Sequence, residues 1–224
     1  MKTIYVLGDS HVSMFDDIYR KPGTDTPVGI PKVVFVDMTR GIQMTAYSLE
    51  ENDLEIRKTL DSINFQQQDE MWFVVGEIDV RFHIFYHHQR LEISLDESIE
   101  RVANVYIKYV KSLKDSGYNI HVVSVVPPQP NLSAYHNDPS GQILNPIRGE
   151  GNTMECRIYT TKKLNELLKE KCRDSGIVYR NIYPYLVDLN TGCNVPDMTR
   201  DGMHYYYIGD LVIDKLGLED EDAS

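Results

Sequence analysis

The chain has 224 residues, a formal net charge of −11 at pH 7 and hydrophobic residues at 42% of its positions. This length suits one α/β domain, and a domain of this size buries roughly 70% of its unfolded surface without needing disulfides. The acidic balance argues against a nucleic-acid partner, because a phosphate backbone requires a basic face. The apolar run at 4–7 is too short for a signal peptide or a membrane span, and the three cysteines show no metal-binding spacing. We therefore expect a reduced, cytoplasmic protein with no membrane partner.

Apolar runs rich in β-branched residues predict five buried parallel strands. In chain order they cover residues 3–7, 32–37, 71–75, 120–126 and 177–182. Apolar residues at three- and four-residue steps predict helices at 96–116, 152–175 and about 208–216. Ser94 with Glu97 forms a predicted capping box before the first of these helices, and Gly117 and Gly176 predict the ends of the first two. The alternation predicts a doubly wound α/β domain over 1–217 and an acidic tail over 218–224.

Polar residues that follow the first two strands are candidate site residues, because ligands bind beyond the carboxyl ends of such strands. Gly8, Asp9, Ser10 and His11 follow the first strand. A serine on a tight turn there would present its hydroxyl at the sheet edge and its N–H toward a developing oxyanion. The alternative is that Asp9 and Ser10 only cap a helix. Gly41 follows the second strand, where it would let the backbone approach a ligand or only form a turn.

Charged residues alternate with apolar ones after the third strand. In an extended segment, Glu77, Asp79, Arg81 and His83 would lie on one side. This pattern predicts either a charged network that lines a cleft or an ion-pair network that fixes the loop, and both can hold together.

A carboxylate and a histidine lie close together near the end of the chain. Asp201 precedes His204 by three residues, with Gly202 between them. This spacing allows a carboxylate–imidazole contact within one turn, as a catalytic triad requires. The spacing is common by chance, but its place opposite a strand-end serine makes a triad the favoured interpretation.

The long connection at 127–152 is rich in Pro, Asn and Gly, which predicts a lid or substrate-selecting loop. Its candidate contacts are Tyr135, His136 and Arg148. The three tyrosines at 205–207 suit a sugar ring, although tyrosine is equally typical of half-buried positions.

The ordered set of strand-end motifs resembles the four sequence blocks of the SGNH (GDSL-like) hydrolases. The matching residues, in the family's order and approximate spacing, are Gly8, Asp9, Ser10, Gly41, Gly76, Asp79, Asp201 and His204. The resemblance implies a three-layer α/β/α sandwich with a flavodoxin-like five-stranded parallel sheet. It also implies esterase, lipase, acetylesterase or acyltransferase chemistry without a metal or other cofactor. Ser10 would be the nucleophile, His204 the general base and Asp201 its orienting acid, with the N–H groups of Ser10 and Gly41 stabilising the oxyanion.

One residue departs from the family pattern. The third block of the family is Gly-x-Asn-Asp, and its Asn donates to the oxyanion, whereas Ile78 stands at that position here. The loss of one such donor lowers the rate by roughly 10²–10³-fold in other serine enzymes. Arg81 or His83 would substitute, unless the guanidinium is tied to Glu77 or Asp79. The run Gly-Glu-Ile-Asp-x-Arg resembles a recurring variant of SGNH-like proteins associated with sugar metabolism.

We therefore expect a serine esterase that removes a small acyl group, such as acetyl, from a small-molecule or carbohydrate ester. An acyltransferase that uses the same residues is one alternative. A non-catalytic carbohydrate-binding or accessory protein on the same fold is another, favoured by Ile78 and disfavoured by the complete set of Ser10, His204 and Asp201.

Overall fold

The computed structural model describes residues 2–24, 32–39, 44–130 and 152–218. Its centre is a five-stranded parallel sheet with the order β2-β1-β3-β4-β5. The strands are β1 (Lys2–Gly8), β2 (Val33–Asp37), β3 (Glu70–Val74), β4 (Ile120–Val123) and β5 (Val178–Arg180). All five predicted strands are present, and the predicted three-layer α/β/α fold is confirmed.

Six α-helices are found in the described ranges: α1 (Asp53–Asp61), α2 (Ile84–Arg90), α3 (Leu95–Asp115), α4 (Met154–Asp174), α5 (Tyr183–Leu186) and α6 (Gly209–Leu216). Short 3₁₀ helices cover Ser10–Phe15, Asp17–Tyr19 and Pro196–Met198. The predicted helices correspond to α3, α4 and α6. The predicted cap of α3 is confirmed, because the Ser94 side chain accepts from Glu97 N at 3.1 Å. Within the described ranges, no helix has both the length and the apolar composition that a membrane span requires.

Two hydrophobic cores lie on the two faces of the sheet. Helices α1 to α4 cover one face, whereas the 3₁₀ helix Ser10–Phe15 covers the other face together with α5 and α6. Because side chains alternate along a strand, β3 contributes Phe73 to the first core and Trp72 to the second. Leu218, at the start of the predicted acidic tail, is fully buried in the second core, and residues 219–224 lie outside the described ranges.

The prediction of an extended segment after β3 is wrong. The chain passes within a few residues from β3 into a π-helical turn, Asp79–His83, and then into α2. Helical residues four apart share a face, so the alternating charged residues do not form one row. They form two ion pairs instead, Glu77 with Arg81 and Asp79 with His83.

Candidate active site

A close approach of two backbones shapes the turn after β1. A Cβ at Gly8 would lie 1.9 Å from the carbonyl oxygen of Val74, and Asp9 N donates to that same oxygen at 3.0 Å. Only glycine fits this approach without a clash. The chain then turns into the 3₁₀ helix, whose first residue, Ser10, is exposed at the carboxyl edge of the sheet.

Asp9 caps that 3₁₀ helix, as the alternative interpretation of the sequence allowed. Its Oδ1 accepts from His11 N at 2.9 Å and lies 3.0 Å from His11 Nδ1. Both side chains are buried. Asp9 therefore fixes the turn, and the exposed hydroxyl of Ser10 stands beside this buried pair.

Asp201 and His204 form the contact that their spacing predicts. Asp201 Oδ2 lies 2.6 Å from His204 Nδ1, and Asp201 Oδ1 accepts from the backbone N–H groups of Met203 (2.9 Å) and His204 (2.7 Å). Partial burial raises the pKa of Asp201, but these hydrogen bonds outweigh the burial and lower the pKa to about 2. The ionised carboxylate therefore holds the imidazole with Nδ1 toward Asp201 and Nε2 on the opposite side.

Backbone and side-chain contacts hold the segment 200–208 against the segment 13–19. The hydrogen bonds run from Arg200 Nη2 to Ser13 Oγ (2.9 Å), from Tyr207 N to Tyr19 O (2.9 Å) and from Ile208 N to Met14 O (2.8 Å). As a result, the His204 ring lies 5.8 Å, centroid to centroid, from the ring of His11, the residue after Ser10. In the part of the chain that the structure describes, no hydrogen bond joins Ser10 and His204. Hydrogen bonds of this kind are often long in the absence of substrate and shorten in the bound state.

Four buried side chains form a charged network beneath this edge, which we call the Glu77 network: Asp9, His11, Glu77 and Arg81. Glu77 Oε2 lies 2.7 Å from Arg81 Nη2 and 3.9 Å from His11 Nδ1. Arg81 Nη1 contacts Met203 Sδ at 3.6 Å, directly before His204 in the chain. Burial lowers the pKa of His11, but the charges of Asp9 and Glu77 outweigh burial and raise it overall. The network thus connects the ends of β1 and β3 to the His204 segment.

Asp79 and His83 lie elsewhere. Asp79 is fully buried and accepts from the backbone N–H groups of Ala46 (2.7 Å) and Tyr47 (3.2 Å), and its Oδ1 lies 3.1 Å from His83 Nδ1. This carboxylate anchors the chain before α1 to the π-helical turn. Half-buried Ile78 has no side-chain donor to offer.

Several predicted site residues fall outside the described ranges. They are Gly41 and the three candidate contacts in the long loop, Tyr135, His136 and Arg148. Where residues are described, no group of three or more His, Cys, Asp or Glu is arranged to hold a metal ion.

Arg157 is a buried charged residue that sequence reasoning missed. It lies in the first turn of α4, near the Glu77 network. The signal was present in the sequence, because the buried stripe of Leu164, Leu168 and Cys172, continued back at helical spacing, reaches Thr161 and Arg157.

Comparison with solved structures supports the fold. No family model matches the sequence, and no curated protein matches it. Among solved structures, a GDSL-like lipase from Bacteroides thetaiotaomicron has a TM-score of 0.57 at 12% identity, covering 100% of this chain and 89% of its own. A member of the lipolytic G-D-S-L family from Veillonella parvula has a TM-score of 0.52 at 14% identity, covering 100% of both chains. An acetyl xylan esterase has a TM-score of 0.52 at 14% identity, covering 97% of this chain and 98% of its own. The chain therefore has the SGNH (GDSL-like) hydrolase fold that the sequence resemblance implies.

Proposed function

We propose that this chain is a serine esterase of the SGNH type that hydrolyses esters of small acyl groups. Ser10 is the nucleophile, His204 the general base and Asp201 the residue that orients His204. The observation that carries the proposal is the 2.6 Å contact between Asp201 Oδ2 and His204 Nδ1, on a segment held beside the residue that follows Ser10.

The proposed reaction has two half-reactions. His204 Nε2 takes the hydroxyl proton of Ser10 as Ser10 Oγ attacks the ester carbonyl. The protonated imidazole then gives that proton to the leaving alcohol. Water attacks the acyl-enzyme by the same route, which releases the carboxylic acid and returns the proton to Ser10. Asp201 stays ionised throughout and stabilises the imidazolium.

The oxyanion requires donors, and Ile78 supplies none. The N–H of Ser10, at the start of its 3₁₀ helix, is one proposed donor, and that of Gly41 is the second. Arg81 is the proposed source of additional positive charge, because its guanidinium contacts the residue before His204. Its ion pair with Glu77 weakens that contribution, so we expect slow turnover.

Acetyl is the acyl group that we propose, and a carbohydrate is the proposed alcohol. An acetyl xylan esterase with the same fold supports this choice. The tyrosines after His204 add less support than their sequence suggests. Tyr205 is fully buried, and Tyr207 is occupied by Arg20 and by a hydrogen bond to Asp210.

A non-catalytic binding protein is the second candidate. Ile78 and the pairing of Arg81 with Glu77 favour it, because both reduce the donors available to an oxyanion. Such a protein would bind an ester or a sugar without turnover.

Hydrolysis of p-nitrophenyl acetate separates the two candidates. We expect measurable turnover by the wild type and a loss of at least about 10³-fold in Ser10→Ala. Ser62→Ala is the matched control, because Ser62 is an exposed serine at the end of α1. Equal turnover by wild type and Ser10→Ala would contradict the esterase proposal, and no turnover by either would favour the binding protein.

A further inference from the structure

Arg157 is a buried guanidinium with few partners. Only 5% of the residue's surface is exposed, and its Nη2 contacts Met154 Sδ at 3.9 Å. Among the described residues, no acceptor forms a hydrogen bond with Nε or Nη1 of Arg157. Burying a charged group without acceptors is strongly unfavourable, so the described residues leave Arg157 short of an acceptor that a ligand can supply.

Other buried donors lie in the same region and also have no hydrogen-bond partner in the described part of the chain. They are the hydroxyl groups of Tyr183 and Tyr205 and the Nε2 amide of Gln129. Cys193 lies in this region, because its Sγ is 3.3 Å from Met154 Sδ, the atom that Arg157 Nη2 also contacts. It is close enough to Tyr183 and Tyr205 to influence the pKa of both hydroxyl groups. Asn194 N donates to Pro128 O at 3.1 Å, which places Gln129 beside the same segment. A cluster of unused donors is complementary to a ligand rich in acceptors.

The charge balance specifies a monoanion. Glu77, the carboxylate that acts on Arg157, already forms an ion pair with Arg81 at 2.7 Å. The other carboxylate of the Glu77 network, Asp9, is paired with His11. When His11 is protonated, Arg157 adds one positive charge in excess among these described residues. One carboxylate balances that charge, whereas a phosphate monoester would leave negative charge unbalanced in a buried site.

The region lies next to the proposed triad. Asn152 Nδ2 donates to Arg81 O at 3.0 Å, which ties the start of α4 to the Glu77 network. Arg81 in turn contacts Met203, the neighbour of His204.

We propose that Arg157 binds a carboxylate of the ester substrate, with the hydroxyl group of Tyr183 as a further donor. This inference rests on the proposed esterase function and names its substrate class, an acyl ester of a carboxylate-bearing alcohol. The planar guanidinium suits a carboxylate because the two groups pair through parallel hydrogen bonds.

Two acetyl esters that differ only in charge test this inference. 4-Acetoxybenzoate carries a carboxylate that is too rigidly placed to attack its own ester, and 4-acetoxybenzamide is its neutral counterpart. We expect the wild type to prefer the carboxylate in kcat/KM and Arg157→Met to lower that preference about tenfold or more. Arg173→Met, an exposed position on the same helix, should leave the preference unchanged. Arg157→Lys, which keeps the charge and loses the planar fork, should lower it by less than Arg157→Met, so the inference stays testable if Arg157→Met does not fold.

A binding measurement separates failure of this inference from failure of the proposed function. Calorimetric titration of Ser10→Ala with the two esters needs no turnover, and we expect 4-acetoxybenzoate to bind more tightly than 4-acetoxybenzamide. If the wild type hydrolyses neither ester but the titration shows an Arg157-dependent preference for the carboxylate, the esterase proposal fails and the carboxylate site stands. Equal binding and equal kcat/KM for the two esters would overturn the site. A preference for 4-acetoxyphenyl phosphate over the carboxylate would overturn it as well.

Discussion

At the scale of single residues, the side chain of Asp201 accepts three hydrogen bonds, two from backbone N–H groups and one from the ring of His204. An amide in its place can still accept from the backbone, but it no longer offers a charge to the imidazole. The orientation and tautomer of His204 therefore depend on the ionised form of Asp201.

We expect Asp201→Asn to lower kcat for p-nitrophenyl acetate by about 10³–10⁴-fold with little change in KM, because the neutral amide neither fixes the tautomer nor stabilises the imidazolium. Steady-state kinetics of the variant measure this directly. Asp197→Asn, at an exposed position just upstream, is the control and should behave like the wild type. A loss of less than threefold in Asp201→Asn would show that Asp201 does not act through His204.

The sequence predicts the Asp201–His204 contact because both residues lie within one turn, where spacing alone determines proximity. It does not predict which partners Glu77, Asp79 and Arg81 choose. That choice depends on whether the chain is extended or helical after β3, and the alternation of apolar residues there is compatible with both. Val80 in the π-helical turn and Ile84 at the start of α2 are four residues apart and both buried in the first core, as helical backbone requires.

At the scale of elements, the turn that carries Ser10 depends on the contact of β1 with β3. Gly8→Ala would place a Cβ 1.9 Å from Val74 O, so the strands would have to separate. We expect a loss of about 3–5 kcal/mol in the free energy of unfolding, measured with urea. Gly117→Ala is the comparison, because Gly117 has a positive φ of 100° but open space around it, and strain alone predicts about 1–2 kcal/mol. Equal losses in the two variants would contradict the close-approach account.

The ends of elements show where sequence patterns are insufficient. The apolar run at 120–126 predicts a strand to residue 126, but β4 ends at Val123. Beyond that point a side chain from α4 satisfies the backbone: Asn165 Oδ1 accepts from Val125 N at 2.7 Å, and Asn165 Nδ2 donates to Val125 O at 2.9 Å. A distant asparagine thus replaces the neighbouring strand, and no local pattern reveals it.

At the scale of the whole molecule, a second buried charged cluster lies among the strands, centred on Glu70. Its carboxylate contacts Lys2 Nζ (2.6 Å), Trp72 Nε1 (2.6 Å), His121 Nδ1 (3.0 Å) and Arg180 Nη2 (3.1 Å). Burial raises the pKa of Glu70, but its hydrogen bonds with His121, Lys2 and Trp72 outweigh burial and lower the pKa to about 2. Glu70, on the central strand β3, thus connects β3 to β1, β4 and β5 through side-chain contacts.

This cluster predicts how stability depends on pH. Because the pKa of Glu70 is lower in the folded state than its ordinary value of 4.5, its contribution is complete above that pH and is lost as the pH falls toward 2. We expect Glu70→Gln to lower the free energy of unfolding by about 3–5 kcal/mol at pH 7, because Lys2 and Arg180 each lose a buried carboxylate partner. The difference from the wild type should shrink between pH 5 and pH 3 in urea titrations. Glu51→Gln, an exposed control, should show no such trend.

Most of the architecture is predictable from sequence, because buried parallel strands give near-continuous apolar runs and the surrounding helices give periodic ones. The order of the strands in the sheet is harder to predict from the sequence, because it depends on how the crossovers connect the strands and no single segment determines that. The pairing of charges is least accessible. Glu70 contacts side chains from β1, β3, β4 and β5, which are far apart in the sequence. The burial of Arg157 can be predicted only by extending the apolar stripe of α4 back to the first turn of that helix.

Covalent labelling with a fluorophosphonate tests most directly whether Ser10 is an activated nucleophile. The reagent forms a phosphonyl ester on an activated serine and releases fluoride, so it reports on the nucleophile whatever the natural substrate is. We expect mass spectrometry of the digested protein to find the label on Ser10, at one group per chain, and to find none in Ser10→Ala. A wild-type protein that stays unlabelled, or that carries the label on another residue, would show that Ser10 is not an activated nucleophile.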